Sequence, residues 1–299
     1  MQIVTDSGAD ITAEEARALG VRLAQLSIHF PEGETDPSRI TADEFYDRMR
    51  AMHPAIPTTA QPSSGMFAGI YRSLAAGPAG GASGPGGPGD PDILSIHISS
   101  GLSGTLNAAR LGAEEVGPAA NVMLWDTLTL SGGERFQVLA AALACRAGWP
   151  PHAIVQRLAE IRARQDVVFT LETLEYLARG GRIGRVAALA GMLLNVKPVI
   201  HVDHHDGKYN TQAKSRTIPR ALVAIGDYLH ATHGDEPLWV SVQHGRWPDQ
   251  AEALTVLLKQ RLNIARLETV RISPVLGVHT GPGIAGASVV PMTLMSDLV

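Results

Sequence analysis

The sequence predicts an α/β protein of two α/β domains, an N-terminal parallel-sheet domain over residues 1–165 and a C-terminal mixed-sheet domain over residues 166–299. Three observations predict it. Short apolar runs rich in β-branched residues alternate with helix-period segments, the pattern of strands joined by helical crossovers. In the second half, Val199–Val202 and Lys208–Asn210 flank the tight polar turn Asp203-His204-His205-Asp206-Gly207, so that sheet contains a hairpin and is not purely parallel. The length of 299 residues suits two domains of ordinary size, and 45% hydrophobic residues can fill their cores.

Taken in order, Ile3-Val4 is a short strand that stops at Thr5-Asp6-Ser7. Thr12 with Glu15, and later Thr41 with Glu44, have capping-box spacing and each opens a helix. Val21 to Phe30 reads as a second strand, and Thr58 to Ser63 as a polar loop whose Ser63 or Ser64 caps the helix through Met66, Ile70 and Leu74. Gly77 to Asp92 is almost all Gly, Pro, Ala and Ser, which cannot build a core and reads as a flexible insertion within the first domain. Asn121–Trp125 is a strand, and Ser131-Gly132-Gly133 opens a long helix through Ala147. After the amphipathic helix His152–Ala163, Val167–Thr170 begins the second domain. Helices follow at Leu174–Leu177, Val186–Leu194, Thr217–His230 and Gln250–Leu262, with strands at Leu238–Val242 and Arg266–Ile272.

Between the insertion and Asn121 lies the stretch around which the chain is organised. Ile93–Ile98 reads as a buried strand, Ser99-Ser100-Gly101-Leu102-Ser103-Gly104-Thr105 as a small-residue turn, and Leu106–Leu111 as a helix. Such a turn is expected to leave backbone N–H groups pointing outward, where they and the helix dipole suit an anion. Asp6, Thr59, Asp126 and Ser131 fall at similar predicted strand-to-helix transitions, which converge at the carboxyl end of a parallel sheet. Helix capping is the ordinary role of any single one of them.

Composition narrows the function. The net charge is −4 with no basic run, which argues against a nucleic-acid partner. The single cysteine, Cys145, excludes an internal disulfide and points to a reducing compartment. The N-terminus lacks the features of a secretory signal, and the apolar segment Val186–Leu194 is too short to span a bilayer, so a cytoplasmic location is expected. Ser103 lacks the last glycine of a nucleophile elbow. Asp203-His204-His205-Asp206 offers metal-ligating side chains, but neighbours on an extended chain point to opposite faces, so no metal is expected there. Arg179-Gly180-Gly181-Arg182 pairs guanidinium groups with glycines that permit close approach to an oxyanion, and His279 sits between a strand and the turn Gly281-Pro282-Gly283.

Ile3-Val4-Thr5-Asp6-Ser7, Thr58-Thr59-Ala60-Gln61-Pro62-Ser63, the Ser99–Thr105 turn, Arg179–Ile183, Leu193-Leu194-Asn195-Val196-Lys197-Pro198 and Gly277–Gly283 together resemble the DegV family of bacterial lipid-binding proteins, which includes the fatty-acid-binding subunits of fatty acid kinase. The segments come in the family's order and cover nearly the whole chain. The resemblance implies a slot between the two domains that holds a long-chain fatty acid such as palmitate or oleate. It implies that the Thr59 hydroxyl and the Ser99-Ser100-Gly101 turn hold the carboxylate, with Arg182 and His279 near it. It also implies that a separate kinase phosphorylates the bound acid, and that Arg216 matches a basic residue used in docking to that kinase. No catalytic residue of its own and no cofactor are expected. Two features depart from the family pattern: the insertion, and the charged Glu134-Arg135 pair after Ser131-Gly132-Gly133.

Burying a tail of about 16 carbons contributes at most roughly 10 kcal/mol at about 0.8 kcal/mol per methylene. Each hydrogen bond to the charged head adds about 1.5–3 kcal/mol, against the cost of desolvating it. The alternative is a stand-alone hydrolase or phosphotransferase that uses Ser100 or Asp6, which requires a nucleophile–base pair that the sequence does not display.

Overall fold

The computed structural model describes residues 1–35, 40–76, 91–192 and 196–298. The predicted insertion at 77–92 lies outside the described residues except for its last two positions, as do Leu193, Leu194 and Asn195. The strands are β1 (Gln2–Asp6), β2 (Val21–Ala24), β3 (Ser27–Phe30), β4 (Gly33–Thr35), β5 (Thr58–Ala60), β6 (Ile93–His97), β7 (Val122–Asp126), β8 (Asp166–Leu171), β9 (Lys197–Val202), β10 (Tyr209–Ser215), β11 (Leu238–His244), β12 (Ile264–Arg271) and β13 (Ile284–Pro291). The helices are α1 (Ala13–Leu19), α2 (Ala42–Ala51), α3 (Ser64–Ala75), α4 (Thr105–Val116), α5 (Ser131–Arg146), α6 (Pro151–Arg164), α7 (Glu175–Arg179), α8 (Ile218–His233), α9 (Pro248–Arg261) and α10 (Pro274–Thr280).

The N-terminal part is a parallel sheet in the order β2-β1-β6-β7. Every residue of β6 is buried, as a strand with neighbours on both edges and helices on its faces requires. The C-terminal part is a mixed sheet in the order β10-β9-β8-β13-β11-β12, parallel only at β11–β12. The predicted hairpin is its β9–β10 edge. Both capping boxes form: Thr12 and Thr41 accept from the amides of Glu15 and Glu44, and the glutamates reach back to the cap amides.

Four local expectations change. The predicted strand Val21–Phe30 is two strands, because the amide of the intervening Leu26 donates to the Ser7 hydroxyl and the chain leaves the parallel sheet there. β3 instead joins β4 and β5 in a small antiparallel sheet. Thr59 is therefore on a strand of that sheet, paired with Ile28, and not in a loop at the carboxyl end of the parallel sheet. Gly184–Met192 winds as a tight 3-10 helix where an α-helix was expected. His279 lies in α10 and not at the end of a strand.

α5 joins the two halves. It packs on β1 and β6 of one sheet and on β8 and β13 of the other. Pressed from both sides, its run from Ser131 to Ala142 is buried without a break, mostly through apolar or small side chains. Gly133 shows how close the approach is: a Cβ there would lie 2.6 Å from the Thr129 hydroxyl and 2.7 Å from Val167. One apolar cluster accordingly contains Ile3, Leu94 and Trp125 of the first half, Phe136 and Ala140 of α5, and Trp239 and Val290 of the second. The Glu134-Arg135 pair turns into this packing. Arg135 lies 2.6 Å from Glu15 and 3.5 Å from Glu268. Glu134 accepts from the Thr5 hydroxyl at 3.3 Å, and burial, then the neighbouring Asp6 charge, pushes its carboxyl well above the usual range.

Candidate functional site

Two adjoining hollows lie between the halves and share Leu130, Tyr209 and Leu276. The first has about 410 Å³ of empty volume and is walled by Leu26, Thr59, Ile98, Leu102 and Ser103 from one half and by Arg182, Val275 and His279 from the other. The second has about 370 Å³ and is walled mainly by Val167, Phe169, Ile272 and Ile284, with Ser131 and Gln243.

At the first hollow the small sheet and α10 meet, and the Thr59 Oγ1 lies 2.9 Å from His279 Nε2. Burial, and secondarily the positive charge of Arg182, push His279 down to about 4, so the ring is neutral at pH 7. Its Nδ1 is buried without a hydrogen-bond partner, pressed against Gly180, where a Cβ would come within 2.5 Å. Arg182 is exposed and its Nη1 donates to the Gly180 carbonyl at 2.8 Å, so the Gly180-Gly181 turn carries the guanidinium to the rim. Thr59, Arg182 and His279, far apart in sequence, thus stand around one opening.

The Ser99–Gly101 turn is built differently from the expectation of outward amides. Its N–H groups are all taken within the protein: Ser99 donates to the Thr129 carbonyl, Ser100 to the Asp126 carboxylate and Gly101 to the Ser99 hydroxyl. The next two amides, of Leu102 and Ser103, both donate to the Ser99 carbonyl. A short turn closes on itself wherever its own side chains supply acceptors. The Ser99 hydroxyl donates to the Gly207 carbonyl at 2.9 Å, tying the turn to the β9–β10 hairpin. Gly101 sits against the same hairpin, where a Cβ would lie 2.4 Å from the Asp206 carbonyl oxygen. Ser100 is exposed. Of this stretch it is Leu102 and Ser103, not Ser99, Ser100 or Gly101, that line the hollow.

Asp6 is fully buried and accepts from the amides of Gly8 and Ile98 and from His97 Nδ1. A chain of buried hydrogen bonds continues from His97 Nε2 through Ser95 to the Tyr71 hydroxyl. Ser103 shares its hydrogen bond with Thr105, and among the described residues no histidine or carboxylate bonds to it.

The model described as uncharacterised protein, DegV family, matches residues 1–292. The chain belongs to the DegV family. A DegV domain-containing protein of Deinococcus radiodurans is 35% identical over 290 residues, spanning 97% of this chain and 95% of its own length. A solved DegV family structure from Thermus thermophilus, named for fatty acid binding, superimposes with a TM-score of 0.84 at 30% identity, covering 97% of this chain and 99% of that one. A stearic-acid-binding protein from Eubacterium ventriosum superimposes at 0.81 with 27% identity, covering 97% and 98%.

In this DegV chain the four residues of the hairpin turn do not gather round one point. Asp203 and Asp206 pair with Arg185, while His204 reaches back to Asp166 at 3.2 Å beside His233 at 2.8 Å. Among the described residues no three histidine, cysteine, aspartate or glutamate side chains are placed to hold a metal. None of the described helices is long and apolar enough to cross a membrane. Lys214 and Arg216 are exposed just before α8, without ion-pair partners among the described residues. The sequence reading missed Tyr209, Leu276 and Gln243. Each is buried within a strand or helix, and periodicity marks such residues only as core.

Proposed function

We propose that the protein binds a long-chain fatty acid between its two halves, taken as residues 1–165 and 166–299, and presents the carboxylate to a separate cytoplasmic fatty acid kinase. The observation that carries this reading is the apolar double hollow with Thr59, Arg182 and His279 at one end of it. The fatty acids held by related structures at 27% and 30% identity support it.

A carboxylate only accepts hydrogen bonds. With the ligand in place, the Thr59 hydroxyl gives its proton to the carboxylate while its oxygen accepts from His279 Nε2–H. A neutral histidine is then an orienting group, and the exposed Arg182 supplies the positive charge. Arg182 also marks the side from which a phosphate donor approaches. Ser99, Ser100 and Gly101 act in this reading by setting the position of Leu102 and Ser103. In this reading the protein needs no nucleophile of its own, in keeping with an Asp6 that accepts hydrogen bonds within the core.

The direct test is organic extraction of the purified protein followed by mass spectrometry, with added palmitate or oleate raising the melting temperature. A protein that yields no fatty acid and gains no stability from either would end the proposal. Arg216, an exposed guanidinium suited to a carboxylate or phosphate, is proposed to dock the kinase. Arg216→Ala should leave lipid binding intact and raise the kinase concentration needed for half-maximal acyl-phosphate formation. An unchanged half-saturation point would remove Arg216 from that surface.

A further inference from the structure

The hollow remote from Thr59 and His279 is mainly apolar, and its polar side chains are Tyr209, which it shares with the first hollow, Thr280, Ser131 and Gln243. Thr280 lines it, but its hydroxyl is directed to the carbonyls of Leu276 and Gly281. Ser131 and Gln243 supply two further polar groups on its wall.

Ser131 opens α5 in a left-handed backbone conformation, with φ of 54°, which a non-glycine residue adopts at a cost. That conformation brings its hydroxyl to the buried Asp10, to which it donates at 2.5 Å. Asp10 is held in turn by the Ser273 amide at 2.8 Å. Having given its proton to Asp10, the Ser131 oxygen can only accept from anything in the hollow. Gln243 is 3% exposed. Among the described residues its amide group has a single hydrogen-bond partner, the Ser288 hydroxyl, at 2.9 Å from Nε2 and 3.1 Å from Oε1. One hydroxyl satisfies at most one of the two Nε2 protons, so a donor is left over. Gly132 explains how this amide comes to lie beside Ser131: a Cβ at Gly132 would be 1.9 Å from Gln243 Nε2. An acceptor and a donor therefore line the same hollow.

An alcohol is the group that matches such a pair, because it donates one hydrogen bond and accepts another. A methyl or methylene matches neither, and a second carboxylate would face the Ser131 oxygen and Asp10 with only acceptors to offer. We propose that the distal hollow selects an acyl chain that carries a hydroxyl group on its tail, held between Ser131 Oγ and the Gln243 amide. The inference rests on the fatty-acid-binding reading and narrows its substrate class to hydroxylated long-chain acids. A site built to bond a hydroxyl discriminates strongly against the analogue without one, because its own polar groups are then left unpaired.

The test is competition for a fluorescent fatty acid by palmitate, 16-hydroxypalmitate, stearate, 10-hydroxystearate and 12-hydroxystearate. At least one hydroxylated acid should bind about tenfold or more tightly than its unsubstituted parent. Gln243→Met and Ser131→Ala should each bring that ratio close to one. Equal affinities of every hydroxylated acid and its parent in the wild-type protein would overturn the proposal and leave the pair to a bound water. So would a preference that survives both substitutions. The wild-type comparison stands alone if either variant fails to fold. If no acid of either kind competes, the fatty-acid-binding reading falls as well, and the two failures are thereby distinguished.

Discussion

The turns that follow β6 and β7 are alike in composition and opposite in use. Ser99-Ser100-Gly101 leaves the central strand and Ser131-Gly132-Gly133 opens the central helix, and both are serine–glycine turns at the carboxyl end of the same sheet. The first consumes its own amides and locks onto the β9–β10 hairpin through Ser99 and Gly101. The second holds Ser131 at positive φ and faces the cavity. The difference shows that where the hydrogen bonds go, and not which residues are present, decides whether a small polar turn faces the cavity.

The comparison can be broken most sharply at the glycines. Gly132→Ala should destabilise the protein by about 1–3 kcal/mol, because the new methyl displaces the Gln243 amide. Gly101→Ala should cost a similar amount by pushing the hairpin off the first turn. Urea denaturation measures both; wild-type stability in either variant would mean that the turn yields instead of its neighbour.

Smaller effects separate the two adjacent serines. Ser99→Ala strands the Gly101 amide and the Gly207 carbonyl and should cost about 1–3 kcal/mol. Ser100→Ala, at an exposed side chain, should stay within about 0.5 kcal/mol in thermal unfolding. Equal losses at the two positions would erase the distinction between lock and surface.

The two hollows also differ in pH dependence, which arises at the first through His279. The folded His279 ring resists protonation until about pH 4, whereas the unfolded ring takes its proton near 6.5. Its contribution to stability is full above pH 6.5 and is lost as the pH falls toward 4. Asp10 works in the opposite sense: burial raises it to about 6, so its contribution is full below about 3.8 and declines up to 6. Stability measured between pH 4 and 6.5 should therefore fall less steeply with acid in His279→Asn than in the wild type. Identical slopes would show that His279 is not the group responsible.

Much of the fold was legible because it depends on local chemistry. The capping boxes at Thr12 and Thr41, the buried strand Ile93–His97, the long helix from Ser131 and the 203–208 hairpin all follow from nearest-neighbour spacing and period. What escaped was non-local. The break in Val21–Phe30 is made by Ser7, and the strand under Thr59 exists only because Ile28 lies beside it. Arg182, His279 and Thr59 were each singled out, but their shared opening is a product of packing.

By itself the sequence determined the alternation of strands and helices, the two-part division of sheets, and through six short motifs the DegV family. Those are consequences of period, turn chemistry and motif order, all written along the chain. Tertiary structure alone decided that the Ser99 turn is a lock, that α5 is buried between two sheets, and that Ser131 and Gln243 stand together in the cavity. Hydrogen-bond partners and cavity walls are relations between residues distant along the chain, and no local pattern records them.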